Sequence, residues 1–340
     1  MTLQSSSSWI AATIFFLAPM VYGGEPDKLP AEAARGEDSV PVTAPAGSTL
    51  PALDQPAAGN LLSDTDSWQG FKRFESDHAF DRFIGPITNP VLSKDPRSLT
   101  EARLLFIQDE IDPKDALGGG DFQVYAMQLR LALSDRLTLI ADKDGIASIH
   151  PKDLPGHTGF INLAAGLKYD FIRDVEDQFL LAGGLMFEPQ TGEGEVFQNQ
   201  GDGLFTLFLS AGKEFACYNH VLANLGYEFP VDRSQNSSFV YTSLHIDRQL
   251  FGWLYPLAEL NWYHWLSSGD RGLPPSLGEG DGLLNLGTSG VAGNDLVTAA
   301  VGLKARLNTA TELGTAWEFP ISNRHDLINN RLTVELIFRY

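Results

Sequence analysis

The stretch NRLTVELIFRY, residues 330–340, alternates almost without a break. Leu332, Val334, Leu336, Phe338 and Tyr340 fall on one face, and Arg331, Thr333, Glu335 and Arg339 on the other, with Ile337 the one apolar intruder. A period of two predicts a β-strand with one apolar and one polar side. Such a strand suits a soluble sandwich whose apolar side meets a core, and equally a barrel whose apolar side meets lipid. The choice therefore rests on how this strand is joined to the rest of the chain.

Working back from the terminus, strand-like segments recur to Glu101, at about 101–111, 121–133, 137–142, 159–172, 178–188, 203–216, 221–229, 238–247, 253–266, 294–307, 312–319 and 330–340, twelve in all. After the first loop, DPKDALGGG (112–120), their connections alternate in length. SDR (134–136), RDVED (173–177), CYNH (217–220), RQLFG (248–252) and NTAT (308–311) are short. KDGIASIHPKDLPGH (143–157), PQTGEGEVFQNQGD (189–202), PVDRSQNS (230–237), SSGDRGLPPSLGEGDGLLNLGTSGVAG (267–293) and PISNRHDLIN (320–329) are longer. This sorting puts every short turn at one end of an antiparallel meander and every long loop at the other. A Greek-key sandwich has no reason to sort its loops so. An even strand number places both ends of the meander at the short-turn end, the periplasmic end of a bacterial outer-membrane barrel.

The polar faces carry both signs of charge among many Gly and Ala residues. An open sheet of this length would leave two edges to protect and an apolar face with no second layer to cover it. A closed barrel removes the edges and pairs every backbone group, as lipid requires. The predicted fold is therefore all-β: a closed antiparallel up-and-down transmembrane β-barrel of about 12 strands, with a short N-terminal helical or plug segment. In such a barrel the lumen is lined by Arg130, Lys168, Lys304, Arg306 and Arg339, able to pair with Asp170, Glu188, Glu228, Glu259, Glu318 and Glu335. Two aromatic girdles are expected, from Tyr169, Phe171, Phe179, Phe215, Trp253, Phe338 and Tyr340 at the short-turn end, and from Phe187, Phe229, Trp262, Trp265, Trp317 and Phe319 toward the long loops.

A final strand of alternating apolar residues ending in an aromatic, here Leu332, Val334, Leu336, Phe338 and Tyr340, resembles the C-terminal signature of bacterial outer-membrane β-barrels. That resemblance implies recognition by the barrel assembly machinery, with Tyr standing where Phe is commoner. GLKYDF, FEPQTGEG, GYEFP and LGTAWEFPIS…NNRLTVELIFRY further resemble the outer-membrane transporters named after the meta pathway of phenol degradation, over about residues 101–340. The motifs are of strand and turn type, so they imply architecture more than substrate.

Upstream of the barrel, WIAATIFFLAPMVYGG (9–24) is a short apolar run ending in small residues, which reads as a signal peptide over 1–24 although no Lys or Arg precedes it. Residues 25–66, rich in Pro, Ala and acids, read as a disordered linker. Residues 67–100 form an N-terminal extension. The spacing of Phe71 and Phe74 predicts a short amphipathic helix from about Gln69 to Arg82, followed by an extended turn around Pro86, Asn89 and Pro90. This segment, or the Gly-rich stretch from Ser268 to Gly293, is a candidate plug.

The 340 residues carry a net charge of −19, which excludes nucleic acid as a partner because phosphate binding needs basic patches. The single Cys217 excludes an intrachain disulfide framework, and without a neighbouring base it reads as inert. His245 shares a face with Ser243, but no nucleophile-elbow motif accompanies them. His264 in WYHW reads as interfacial. His150, His157 and Asp153 match no metal spacing, and the acidic loops lack the ordered ligand spacing of a calcium site. No enzyme activity, cofactor or metal is expected. The expected partners are outer-membrane lipid, the assembly machinery and a small-molecule solute. The expected function is a pore or channel for passive uptake or efflux through a narrow lumen of mixed charge. Two alternatives stay open at this level: a non-conducting structural or adhesion barrel displaying acidic loops, and a soluble secreted β protein that binds a ligand.

Overall fold

The structure, a computed structural model, describes residues 74–340. The expected signal peptide and linker lie outside the described residues. Fourteen strands follow in chain order: β1 (Glu101–Ile111), β2 (Gly120–Ala132), β3 (Leu137–Ala141), β4 (Gly145–Pro151), β5 (His157–Phe160), β6 (Ala165–Asp174), β7 (Phe179–Glu188), β8 (Leu204–Phe215), β9 (Asn219–Pro230), β10 (Ser238–Arg248), β11 (Leu254–Ser267), β12 (Asp295–Arg306), β13 (Thr311–Pro320) and β14 (Asn330–Arg339). All pairings are antiparallel. β1 pairs with β2 on one side and with β14 on the other, in register from Glu101↔Arg339 to Glu110↔Asn330, so the sheet closes on itself.

The wall has twelve strands because two of them are interrupted. β3 pairs with Leu129–Ala132 of β2, and β4 with Gly120–Ala126 of the same strand. Similarly, β5 runs against β4 and β6 against β3. Half of the stretch read from sequence as the loop 143–157 is therefore wall. Ile146 points out while Ala147 and Ile149 are buried inward, a short alternation hidden between Gly145 and Pro151. The break at 142–144 is stitched by Asp142 N–H donating to Ala164 O (3.0 Å) and Met127 N–H donating to Asp144 O (2.7 Å). Gly145 is required there, since a Cβ would collide with Tyr125 O and the Cα of Ala126.

Outward positions carry Leu129, Leu167, Leu207, Leu225, Leu244 and Leu303, all exposed, whereas their strand neighbours are buried. A continuous outward apolar belt around a polar interior is the inverse of a water-soluble sandwich and suits a hydrocarbon surround. Outward aromatics cluster toward the long loops: Phe187 on Phe205 (4.7 Å between centroids), Phe205 on Phe229 (5.6 Å) and Trp317 on Phe319 (5.1 Å).

Two sequence expectations for side-chain direction are corrected. Trp265 is no girdle residue: it shares parity with Tyr255, Glu259 and Tyr263, and is fully buried inside the barrel. Ile161 is also buried while Leu163 is exposed, although a strict period of two in FINLAAGLKYDF (160–171) places both on one face, because the alternation slips across the interruption at 161–164.

Candidate functional site

The interior of the barrel is occupied by the protein's own chain, entering from both ends. Residues 76–100 form a strap that starts and finishes at the short-turn mouth. There Ser76 N–H donates to Tyr340 O (2.9 Å), and Ser76 Oγ accepts from Thr100 N–H (3.0 Å). Going inward, Asp77 takes a two-pronged contact from Arg173 (2.7 and 2.8 Å), while Phe80 and Phe83 pack on Leu180 and Leu222. Ile87 and Thr88 N–H donate to the two carboxylate oxygens of Glu259 (2.8 and 2.7 Å), and Arg103 donates to Pro86 O (3.0 Å). Asn89 turns the chain with a positive φ of 50°, and Tyr241 OH donates to Leu92 O (3.2 Å) at the tip. On the way back, Lys94 pairs with Asp142, Lys168 donates to Asp95 O (2.7 Å) and Ser98 Oγ donates to Ser134 O (2.7 Å).

The predicted helix from Gln69 to Arg82 does not form over its described part. Phe74 has a φ of 69°, and only a single 3-10 turn, His78–Phe80, is present, capped by Asp77 accepting from Ala79 N–H (3.1 Å). The strap's backbone groups are met by wall side chains, and Pro86, Pro90 and Pro96 deny it a continuous helical ladder.

From the long-loop end, the Gly-rich connection between β11 and β12 folds inward rather than outward. Leu277, Glu279, Asp281, Leu283, Leu284, Asn285, Leu286 and Thr288 are all buried. Leu283, Leu284, Leu286 and Val291 join an apolar cluster with Phe239, Tyr241, Tyr263 and Trp265 from the wall and Val91 and Leu92 from the strap. Loop and strap interlock at Gly282, where a Cβ would strike the side chain of Leu92. Polar ties hold the loop down. Glu279 accepts from Ser237 Oγ (2.6 Å) and Thr288 N–H (3.1 Å), Asn285 donates to Glu228 (3.1 Å), and Asp281 pairs with Arg331. Burial raises the carboxyl of Glu279 above its ordinary range. It also raises Asp326, in the neighbouring loop, to about 7 against the opposing pull of Arg324.

All eleven side chains expected along the lumen lie on inward-facing positions; Arg306 is half-buried and the rest are buried. Their partners are partly other than expected. Arg130 and Arg339 converge on Glu101 (2.5 and 3.0 Å), Arg306 and Arg339 on Glu312 (3.0 and 3.1 Å), and Glu188 takes Lys143 (2.8 Å). Lys304 pairs with Glu335, Lys168 lies 3.8 Å from Asp170, and Glu318 accepts from Thr298 (2.5 Å) and Asn261 (3.0 Å). Glu101, Arg103, Asp109 and Glu312 are further inward-facing residues that strict alternation from Glu101 and from Glu312 reaches, and Arg331, on the polar face of the last strand, joins them. Arg331 is the largest hub, joining Asp109 of β1 (2.7 Å), Asp281 of the inward loop and, at 3.8 Å, Glu318 of β13. Ser243 and His245 do not form a catalytic pair: Ser243 Oγ accepts from Asn89 (3.0 Å), and both ring nitrogens of His245 face carboxylates. On the outer face of β14, Leu332, Phe338 and Tyr340 are exposed and Val334 and Leu336 half-buried.

No protein-family model and no curated protein matches the chain. Among solved structures, the chain is similar to an outer membrane channel from Pseudomonas putida F1, at 12% identity and a TM-score of 0.54, over 76% of this chain and 100% of that one. Similarity extends to the KdgM porin (10% identity, TM-score 0.42, 70% of this chain and 99% of that one). It extends also to the translocator domain of the autotransporter NalP from Neisseria meningitidis (9% identity, TM-score 0.46, 73% and 90%). The first of these likenesses, spanning the whole of the neighbour's chain, establishes that the protein has the closed-barrel fold of an outer-membrane channel.

Proposed function

We propose that the protein is an outer-membrane channel for small solutes whose resting state is closed by two segments of its own chain. The observation that carries this is what fills the lumen. A barrel serving only as a structural element has its interior packed by its wall. Here the wall supplies a polar, charged surface, and separable segments hydrogen-bond to it. The strap meets Glu259, Arg103, Asn224 and Lys168, and the loop meets Arg331, Glu228 and Ser237. Lumen residues Arg130, Lys168, Asp170, Glu188, Glu228, Glu259, Lys304, Arg306, Glu318, Glu335 and Arg339 then become the walls of the solute path once the plugs move. Paired charges of both signs give weak ion selectivity. In this reading the chain is exported on its N-terminal signal and folded by the assembly machinery, which reads Leu332, Val334, Leu336, Phe338 and Tyr340.

The test is single-channel recording from detergent-extracted protein that shifts mobility on heating. Wild type is expected to give rare, brief current steps. A barrel with the strap removed before residue 100 and the inward loop shortened across 276–288 is expected to give steady current, and each single change a smaller gain. A doubly trimmed barrel that keeps its heat-dependent shift yet passes no current would instead favour the structural reading.

A further inference from the structure

Three carboxylates and two imidazoles form an alternating chain inside the periplasmic half of the barrel, and both of its ends rest on the strap. It starts at Arg82 of the strap, paired with Glu214 of β8 (2.8 Å). Glu214 faces Nε2 of His220, on β9, at 3.9 Å, and His220 Nδ1 meets Asp247 Oδ1, on β10, at 2.7 Å. The other oxygen of Asp247 meets His245 Nε2 at 3.0 Å, and His245 Nδ1 meets Glu259 Oε1, on β11, at 2.7 Å. Glu259 then accepts from Ile87 N–H, Thr88 N–H and Thr88 Oγ1 of the strap. Between these two anchorages Phe83 lies against the ring of His220, with centroids 4.6 Å apart. Strap residues 82–88 are thus clipped at both ends and in the middle by one connected set of titratable groups.

The protonation state follows from the contacts. A neutral imidazole has one donor and one acceptor nitrogen, whereas both nitrogens of the charged ring donate. His245 has a hydrogen-bonded carboxylate oxygen on each nitrogen, whereas His220 is hydrogen-bonded to a carboxylate only through Nδ1, its Nε2 lying 3.9 Å from Glu214. For His245 only the doubly protonated ring satisfies this arrangement. In that state the positive ring of His245 lies between the carboxylates of Asp247 and Glu259, and Arg82 balances Glu214. The other titratable groups at this level leave the balance intact. Tyr255 of β11 is an uncharged phenol, and Arg306 of β12, lying over its ring at 5.3 Å, pairs with Glu312 and also donates to Phe83 O (3.0 Å). Arg97, Lys304 and Arg103 donate to Phe83 O, Gly85 O and Pro86 O (2.7, 2.7 and 3.0 Å), and these cations have carboxylate partners outside the chain.

We propose that this chain is a pH-sensitive latch, worked by His245, that holds the strap while that ring is protonated and releases it when the ring loses its proton. Deprotonation of His245 turns a lone pair of its ring toward a carboxylate oxygen and leaves the cluster with added negative charge in a poorly hydrated interior. The relief lies in moving the strap, which brings water to Glu259 and Glu214. Release therefore increases as pH rises through the range in which that imidazole gives up its proton. The latch gives the proposed channel its regulation, so it rests on that reading for its use, though not for its test.

The test is thiol labelling in detergent, which needs no conductance. Ser93→Cys places a thiol on a buried strap residue, and the native, exposed Cys217 in the turn before β9 reports the intrinsic pH dependence of the reagent. The ratio of labelling at the introduced thiol to that at Cys217 is expected to rise with pH, by up to about tenfold per pH unit for each proton released. His245→Gln, added in the same background, is expected to flatten that rise while the heat-dependent mobility shift persists. A ratio that stays constant in the protein with His245, strap labelling absent at every pH, or an unchanged rise in the His245→Gln variant would each overturn the latch. A pH-dependent ratio in a barrel that never conducts would leave the latch standing and remove the channel.

Discussion

Replacing Arg331 with Met should open the long-loop end of the barrel without unfolding it. Arg331 is almost completely buried and holds Asp109 through Nε and a terminal nitrogen (3.2 and 2.7 Å), Asp281 through the other terminal nitrogen, and lies 3.8 Å from Glu318. Two of those carboxylates belong to the wall, but Asp281 belongs to the inward loop. Met fills much of the side chain's volume and supplies no charge, so three carboxylates are left facing one another. Removing one partner of a buried ion pair costs about 3–5 kcal/mol. The backbone ladders of β1, β13 and β14 do not depend on Arg331, so the cost falls on the element free to leave, the loop that carries Asp281. At roughly 1.4 kcal/mol per tenfold, the open-to-closed ratio of that loop should rise by about two to three and a half orders of magnitude. The assay is hydrogen exchange of amides 279–288 beside single-channel recording, with heat-dependent mobility as the check on folding. Asp281→Asn in the same background removes the departing carboxylate and should recover part of the protection. Unchanged exchange at 279–288 in a folded Arg331→Met barrel would refute the reasoning, because the loop would then be held by its apolar contacts alone.

The loops should respond to pH in the sense set by Asp326. Its folded pKa of about 7 lies above its ordinary value, so the folded loop binds a proton more tightly than the free one, and loop stability falls as pH rises from about 4 through 7. Exchange at Glu279, whose amide donates to Asp326, should therefore speed up more between pH 5 and 8 than intrinsic rates account for, and Asp326→Asn should remove the excess. Gly226→Ala should lower the temperature at which the mobility shift occurs. A Cβ there meets the ring of Tyr241, which supports the strap tip at Leu92, and overpacking of this kind costs about 1–3 kcal/mol. Leu209→Arg, on the outward face of β8, should destabilise the barrel by about 2–4 kcal/mol in lipid, read as a shift in the denaturant midpoint; a protein whose outer face meets water would be indifferent to it.

The wall was legible because its information is local. Period-two alternation and the sorting of loop lengths are both visible within a few residues, and they give twelve strands and the inward parity of residues such as Lys168 and Glu335. What escaped depends on partners distant in sequence. The strap takes its shape from Glu259, Arg103 and Lys168, so the helical spacing of Phe71 and Phe74 carries no information about it. β4 escaped because Gly145 and Pro151 frame it with turn residues while Ala147 and Ile149 are the only clear signs of an inner face. Trp265 was placed by proximity to a loop rather than by counting parity from Glu259. The histidine chain was within reach. Pairing outward from RQLFG sets His245 directly opposite Glu259, and from CYNH sets Glu214 opposite His220, whereas Asp247 meets His220 across β9 and β10, whose register lies beyond the longer loop PVDRSQNS.

The strap and the closing seam of the barrel are built from the same residues. Strap residue Thr100 runs directly into β1, whose partner β14 lies more than two hundred positions along the chain, and Ser76 N–H is bonded to the backbone oxygen of Tyr340. Ion pairs from Glu101 to Arg339 and from Arg103 to Glu335 bridge the same junction. Joining β1 to β14 is the contact of greatest sequence separation in the wall, and hence the step with the largest loop-closure cost. The strap is tethered to the first of those strands and hydrogen-bonded to the end of the last. Folding therefore packs the cargo before the hull is sealed: a barrel that zips shut with its strap outside would have to admit a hairpin of some two dozen residues through a mouth already ringed by its own buried charges.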